Sequence, residues 1–175
     1  MSTPFQLIIP RAIYDDMIAQ ARSELPNECC GLLAGRIQES GVRSQESEAR
    51  GPKPEITDSH SLKTQESNIE ASLPIVTVVQ RYPLVNAAAS PTEYMSEARS
   101  MFEAVRAMRP LGLEIVAIYH SHPTSAPQPS RTDLERNYSP EVVNLIISLK
   151  DGVPLARAWW LQENSYREAD WRLSD

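Results

Sequence analysis

Residues 113 to 122, Leu-Glu-Ile-Val-Ala-Ile-Tyr-His-Ser-His, constrain the fold more than any other stretch of this chain. Leu113 to Tyr119 is an apolar, β-branched run of strand type, and in a strand residues i and i+2 point to the same side. A strand that continues through His122 aims the imidazoles of His120 and His122 at one point and turns Ser121 away. Two of the three histidines in the chain are spent there.

Seven residues stiffened by Pro123, Pro127 and Pro129 follow His122, enough to hold a defined return path. Ser130-Arg-Thr-Asp133 then opens a short helical segment with Ser130 and Asp133 on one face. Two imidazoles and the Asp133 carboxylate suit Zn²⁺, one ion per chain, and leave the fourth tetrahedral position for water, the pattern of a catalytic site. Ser-x-x-Asp is also an ordinary helix cap, and one role does not exclude the other. Other metal motifs fail: there is no His-Glu-x-x-His helix, no Pro-Cys-x-x-Cys, and no histidine beyond His122.

The string His120-Ser-His122, seven residues beginning with Pro123, then Ser130-Arg-Thr-Asp133 resembles the metal motif of the JAMM (JAB1/MPN/Mov34) metalloprotease family. Members of that family cut peptide or isopeptide bonds after ubiquitin or ubiquitin-like tails. The family also carries an upstream glutamate, and Pro26-Asn-Glu-Cys-Cys-Gly-Leu-Leu-Ala-Gly35 is similar to the segment that bears it, so Glu28 is the matching position. Similarity continues through Asn86 to Tyr94 and Leu111 to Leu134. The resemblance implies an α/β domain spanning 1–175, a mixed curved β-sheet flanked by helices, the JAB1/MPN (cytidine-deaminase-like) fold. Within the family the likeness is to small bacterial members that act on sulfur-carrier proteins of ubiquitin-like fold, one of which releases cysteine from the carrier's C-terminal glycine. The implied partner is a ubiquitin-like or sulfur-carrier protein with a glycine-ended tail, bound beside an exposed strand. A general deconjugase, a plain metallopeptidase and a noncatalytic scaffold are the alternatives, and scaffolds of this fold typically lack the metal ligands.

On that reading Zn²⁺ held by His120, His122 and Asp133 lowers the pKa of water to about 7. Glu28 is the expected general base, which passes its proton to the leaving amine. Ser130 is the expected hydroxyl donor to the developing oxyanion.

A length of 175 residues with 41% hydrophobic content fits one domain. No stretch approaches 18 uninterrupted apolar residues, and the first residues lack a basic, then apolar, leader pattern, so a cytoplasmic protein without a membrane segment is expected. A formal charge of -6 with no basic stripe argues against nucleic-acid binding. Cys29 and Cys30, adjacent, face opposite ways in a strand, cannot make a disulfide framework, and read as small buried apolar groups rather than reactive thiols. Oligomeric state is left open.

The remaining elements follow from periodicity. Gln6 to Ile9 reads as a strand, and Pro10 starts a helix with Ile13, Met17, Ile18 and Ala21 as its apolar stripe. A strand is expected from Glu28 to about Ile37, with Gly31 marking close backbone approach. A polar insertion at about 38–74, containing His60 and a turn at Ser40-Gly41, reads as a tolerated loop, with a substrate-choosing lid as the rival. Strand character resumes from Pro74 to Val85, and Asn86 is a turn residue that also matches a recurring polar position in the family, hence a role in site architecture or tail binding. A helix is expected from Pro91 to Met108 with Tyr94, Ala98, Met101, Val105 and Met108 on its core face, none of them cofactor-related. Strands at Val142–Leu149 and Leu155–Leu161, joined by a turn at Lys150-Asp-Gly152, complete the sheet; Trp159 and Trp160 face opposite ways, one in the core and one at an edge.

Overall fold

A computed structural model describes residues 4–37 and 73–175 of the chain. The expected polar insertion, with His60 and the Ser40-Gly41 turn, falls outside the described residues except for Leu73 and Pro74. The elements run β1 (Gln6–Pro10), α1 (Arg11–Ser23), β2 (Cys30–Ile37), β3 (Ile75–Leu84), α2 (Ala98–Met108), a 3-10 turn at Arg109–Leu111, β4 (Glu114–His122), α3 (Arg131–Glu135), β5 (Val143–Ser148), β6 (Leu155–Gln162), β7 (Ser165–Glu168) and β8 (Trp171–Ser174).

The strands form one curved mixed sheet in the order β7-β6-β5-β4-β2-β3-β1-β8. β4 pairs antiparallel with β2 and parallel with β5, so the apolar run that opens the site lies in the middle of the sheet. A strand bonded on both edges and covered on both faces must be apolar nearly throughout, which is why it stands out in the sequence. One face packs Leu7, Ile9, Leu33, Leu145 and Trp160 against the Met17, Ile18 and Ala21 stripe of α1. Complete burial of each aliphatic side chain contributes about 1.5–3 kcal/mol. The other face packs Leu32, Ala34, Tyr82 and Leu84 under Ala104 and Met108 of α2.

Several expectations need adjustment. Pro10 takes the capping position of α1 rather than its first helical one. Glu28 precedes β2 instead of starting it. The helix expected from Pro91 begins only at Ala98, because 86–96 folds into a loop around the Asn86 side chain and Glu97 is still extended, with ψ of 131°. Tyr94 therefore leaves the helix, Ala98 is exposed, and Ala104 joins Met108 as a buried residue of α2. Trp159 and Trp160 do face opposite sides, yet both are buried: Trp160 in the larger core and Trp159 against Ile146 and Leu161. No edge position remains at β6 because β7, unanticipated, pairs along it. β8 was also not expected; it pairs parallel to β1 at the far edge. Among the described residues no helix is long and apolar enough to cross a membrane.

Candidate metal centre

β4 carries both histidines on the α2 side of the sheet. Its alternation sends Tyr119 into the opposite core and buries His120 completely. Ser121 also points away, where its Oγ accepts the Cys29 N–H at 2.8 Å. The proline-rich loop brings the chain back so that α3 starts beside the imidazoles, and Leu134 anchors it on Ile146, Trp159 and Leu161. Trp159 Nε1 fastens the loop by donating to the Pro127 carbonyl at 2.9 Å.

The side chains of His120, His122 and Asp133 converge, with one potential ligand atom from each within 4.8 Å of the others. The two Nε2 atoms lie 3.2 Å apart, and His120 Nε2 is 3.3 Å from Asp133 Oδ1. Tetrahedral Zn²⁺ with bonds of about 2.0–2.1 Å spaces its ligands about 3.3 Å apart; these two separations match that value, His122 Nε2 and Asp133 Oδ2 lie 3.7 Å apart, and the donor set fits the ion in kind. The cap and the site share Asp133 without conflict. Asp133 Oδ2 accepts the Ser130 N–H at 2.6 Å, and Ser130 Oγ accepts the Asp133 N–H at 3.2 Å. Oδ1 is left to face His120, and the Ser130 hydroxyl keeps its proton to donate. His122 Nδ1 donates to the Ala126 carbonyl at 2.8 Å, which leaves the lone pair of its Nε2 directed at the cluster. That carbonyl had no sequence signal, because any residue type supplies one.

Charge sorts these groups by environment. Burial opposes ionisation of Asp133, but the histidines and the Ser130 N–H outweigh it and hold the carboxyl far below the usual range. Burial pushes His120 down, with Asp133 opposing. His122 is raised, since Asp133, the Ala126 carbonyl and Glu28 outweigh its burial. Glu28 is 3% exposed and not the solvated charge typical of a glutamate at a strand end. Burial is the main cause that raises its pKa from 4.5 to about 7; Asp133 and Glu93 add to it and His122 opposes. A carboxyl poised near neutrality beside the cluster suits proton transfer at ordinary pH.

Two neighbours were misjudged or missed. Tyr94, expected as helix core, stacks on the His120 ring with centroids 4.6 Å apart at 26°. Glu93 and Arg136 form an ion pair at 3.0 Å that joins the 86–96 loop to the end of α3. A cavity of about 320 Å³ opens beside Asp133, walled by Tyr94, Met101, Ile118 and Asn144. Cys29 and Cys30 are fully buried in opposite cores, and burial lifts their thiols to about 12 and about 11, which leaves them inert as nucleophiles.

The chain is similar to the CysO-cysteine peptidase of Mycobacterium tuberculosis, 28% identical over 149 residues that cover 85% of this chain and 77% of that protein. It is similar to the desampylase of Haloferax volcanii, 39% identical over 84 residues, 47% of this chain and 60% of that protein. The solution structure of a Desulfitobacterium hafniense protein matches with a TM-score of 0.71 at 25% identity, covering 97% of this chain and 94% of the other. Residues 10–162 match the family described as prokaryotic homologs of the JAB domain, and the chain is a member of that family with its JAB/MPN fold.

Proposed function

We propose that this chain is a zinc metallopeptidase of JAMM type that works in the cytoplasm. Its substrate is a ubiquitin-like sulfur-carrier protein, cut after the C-terminal glycine to release cysteine from a carrier–cysteine adduct. The observation that carries the reading is the convergence of His120, His122 and Asp133, one donor atom from each within 4.8 Å of the others, with a buried carboxyl, Glu28, close enough to feel the charges of His122 and Asp133. His120, His122 and Asp133 are the residues to hold Zn²⁺. When bound, the ion supplies Lewis acidity toward a scissile carbonyl and acidifies water to a pKa of about 7.

The rest falls to the protein. Glu28, with its pKa near 7, accepts a proton from water and returns it to the departing amine. The Ser130 hydroxyl donates to the oxygen that gains charge, an interaction whose removal typically costs about 10² to 10³ in rate. Asp133 stays ionised at every working pH, and the Ala126 carbonyl keeps the His122 ring in one tautomer. Tyr94 shields His120 from solvent.

The substrate class is supported by the CysO-cysteine peptidase similarity across 85% of the chain. The test is to incubate the zinc-loaded protein with a glycine-tailed carrier bearing a C-terminal cysteine and to weigh the product by mass spectrometry. Loss of the cysteine residue is expected; an intact adduct in the presence of fully loaded protein refutes the substrate. The higher identity to a desampylase over 84 residues favours a second reading, a deconjugase that acts on a lysine isopeptide. A branched carrier–lysine conjugate in the same assay separates the two.

A further inference from the structure

The Asn86 side chain uses its whole hydrogen-bonding capacity within the protein. Nδ2 donates to the Glu28 carbonyl at 3.0 Å and to the Glu93 carbonyl at 3.2 Å. Oδ1 accepts the Ala88 N–H and the Met95 N–H, both at 3.0 Å. A carboxamide has two N–H donors and two acceptor lone pairs, so none is left to hold a substrate tail. That removes tail binding as its role and leaves architecture.

The bonds to Ala88 and Met95 fold residues 86–96 into a closed loop, sealed by Ala87 N–H to the Met95 carbonyl at 2.7 Å and by a bridge between Asn86 and Ser96. This loop reaches Glu28 a second time, because the Glu28 N–H donates to the Ser90 carbonyl at 2.9 Å. Both backbone polar groups of Glu28 are thus tied to the loop that Asn86 organises. One residue on, Cys29 is tied to β4: its N–H meets Ser121 Oγ, and its carbonyl accepts the Ser121 N–H at 3.0 Å. Glu28 hangs between these two anchors, the Asn86 loop on one side and the strand of His120 and His122 on the other.

We infer that Asn86 is a positioning residue for Glu28: its carboxamide bonds the Glu28 carbonyl and folds the loop that takes the Glu28 N–H, and so sets the acid's place over His120, His122 and Asp133. The same loop lays Tyr94 on the His120 ring, so one amide coordinates the placement of the acid and of the wall beside the first histidine. The inference rests on Glu28 being the proton acceptor of the proposed reaction. Asn86 touches no reacting atom and acts through Glu28.

The test uses the full-length zinc-loaded protein with Asn86→Asp and Asn86→Ala. Asn86→Asp keeps the two acceptor bonds that close the loop and loses both donors, to the Glu28 and Glu93 carbonyls; Asn86→Ala loses all four bonds and adds no charge. Each is measured for zinc content, for amide hydrogen exchange, and for kcat and KM on the carrier–cysteine adduct, alone and combined with Glu28→Gln. Zinc content is expected to stay at one per chain. Exchange at residues 27–31 should rise by about 5-fold or more, the loss of one hydrogen bond, while β1 and β5 are unchanged. kcat should fall by about 10²-fold with KM nearly constant, as displacement of a catalytic group by about 1 Å does. In the Glu28→Gln background the Asn86 substitutions should change kcat by no more than about 2-fold.

Loss of zinc, unaltered exchange at 27–31, or equal losses of kcat in both backgrounds overturns the inference. If Asn86→Ala does not fold, Asn86→Asp decides by the same criteria. Wild-type protein inert on the adduct, together with faster exchange confined to 27–31 in the variants, supports the tethering of Glu28 and refutes only the substrate.

Discussion

Gly31→Ala drives a methyl carbon into a side chain that has nowhere to go. Gly31 pairs with Tyr119 across β2 and β4, and a Cβ built there overlaps Tyr119 Cζ and the hydroxyl oxygen and lies 2.5 Å from Cε1. Ordinary carbon contact is about 3.5–4.0 Å, so the ring must retreat by about 1 Å or more. The ring is fully buried, and its hydroxyl donates to Gln20 Oε1 at 2.5 Å and accepts from Arg81 Nη1 at 3.0 Å. Retreat strains or breaks both bonds. Overpacking costs about 1–3 kcal/mol and each lost hydrogen bond about 1 kcal/mol, giving about 2–5 kcal/mol when one or both bonds break. At about 2–4 °C per kcal/mol for a chain of this size, Tm should fall by about 4–20 °C. Because Tyr119 is followed directly by His120, zinc affinity should fall as well. Thermal melts and zinc titrations of Gly31→Ala, Tyr119→Leu and the double variant supply the check. In the Tyr119→Leu background, where the ring is gone, Gly31→Ala should cost less than about 1 kcal/mol. Equal costs in the two backgrounds would refute the steric reasoning.

Glu28→Gln should retain one zinc per chain by elemental analysis while turnover of the adduct falls by about 10² to 10⁴, and full activity would remove the general base. Alanine at His120, His122 or Asp133 should abolish zinc binding and turnover together, and added zinc should no longer raise Tm; for the wild type the gain is about 2.7 kcal/mol at a hundredfold excess over Kd. The metal-free protein has a pH signature. The pKa of Glu28 is raised from 4.5 to about 7, so its contribution to stability is fully present below pH 4.5 and is lost as pH rises toward 7. At about 1.36 kcal/mol for each tenfold change, the loss is at most about 3 kcal/mol. His122, also raised, acts in the same direction, so the measurement is the difference between wild type and Glu28→Gln in chelator-treated melts from pH 4.5 to 7.5; parallel curves would contradict the burial of an ionisable Glu28.

Short-range chemistry was legible where the chain itself repeats at a structural period. The alternation of β4 put His120 and His122 on one side and Ser121 on the other, and the Ser130 to Asp133 spacing gave a cap that also faces the site. Gly31 was legible as a close approach because only glycine leaves room for a ring at its Cα. The helix start at Ala98 was not legible, since Pro91 to Glu97 has helix-compatible composition and is diverted by bonds to the Asn86 side chain, at separations of 7 and 9 residues that no helical period marks. β7 is short and exposed and β8 is short and half-buried; the stability of both comes from the edges they join, so their own sequence says little.

Sequence alone determined which donors exist and how they are spaced: two imidazoles at strand period, a carboxylate on a helix start and a glutamate before a buried strand. Those are local facts, fixed by backbone geometry over a few residues. Tertiary structure decided that Glu28, just before the strand paired with β4, is buried and has its pKa raised to about 7. It also decided that Ala126 and Ser130 orient His122 and Asp133, and that Tyr94 belongs to the site and not to a helix. Burial, charge proximity and bonds to backbone carbonyls depend on which distant segments meet, and no local pattern of residues encodes that meeting.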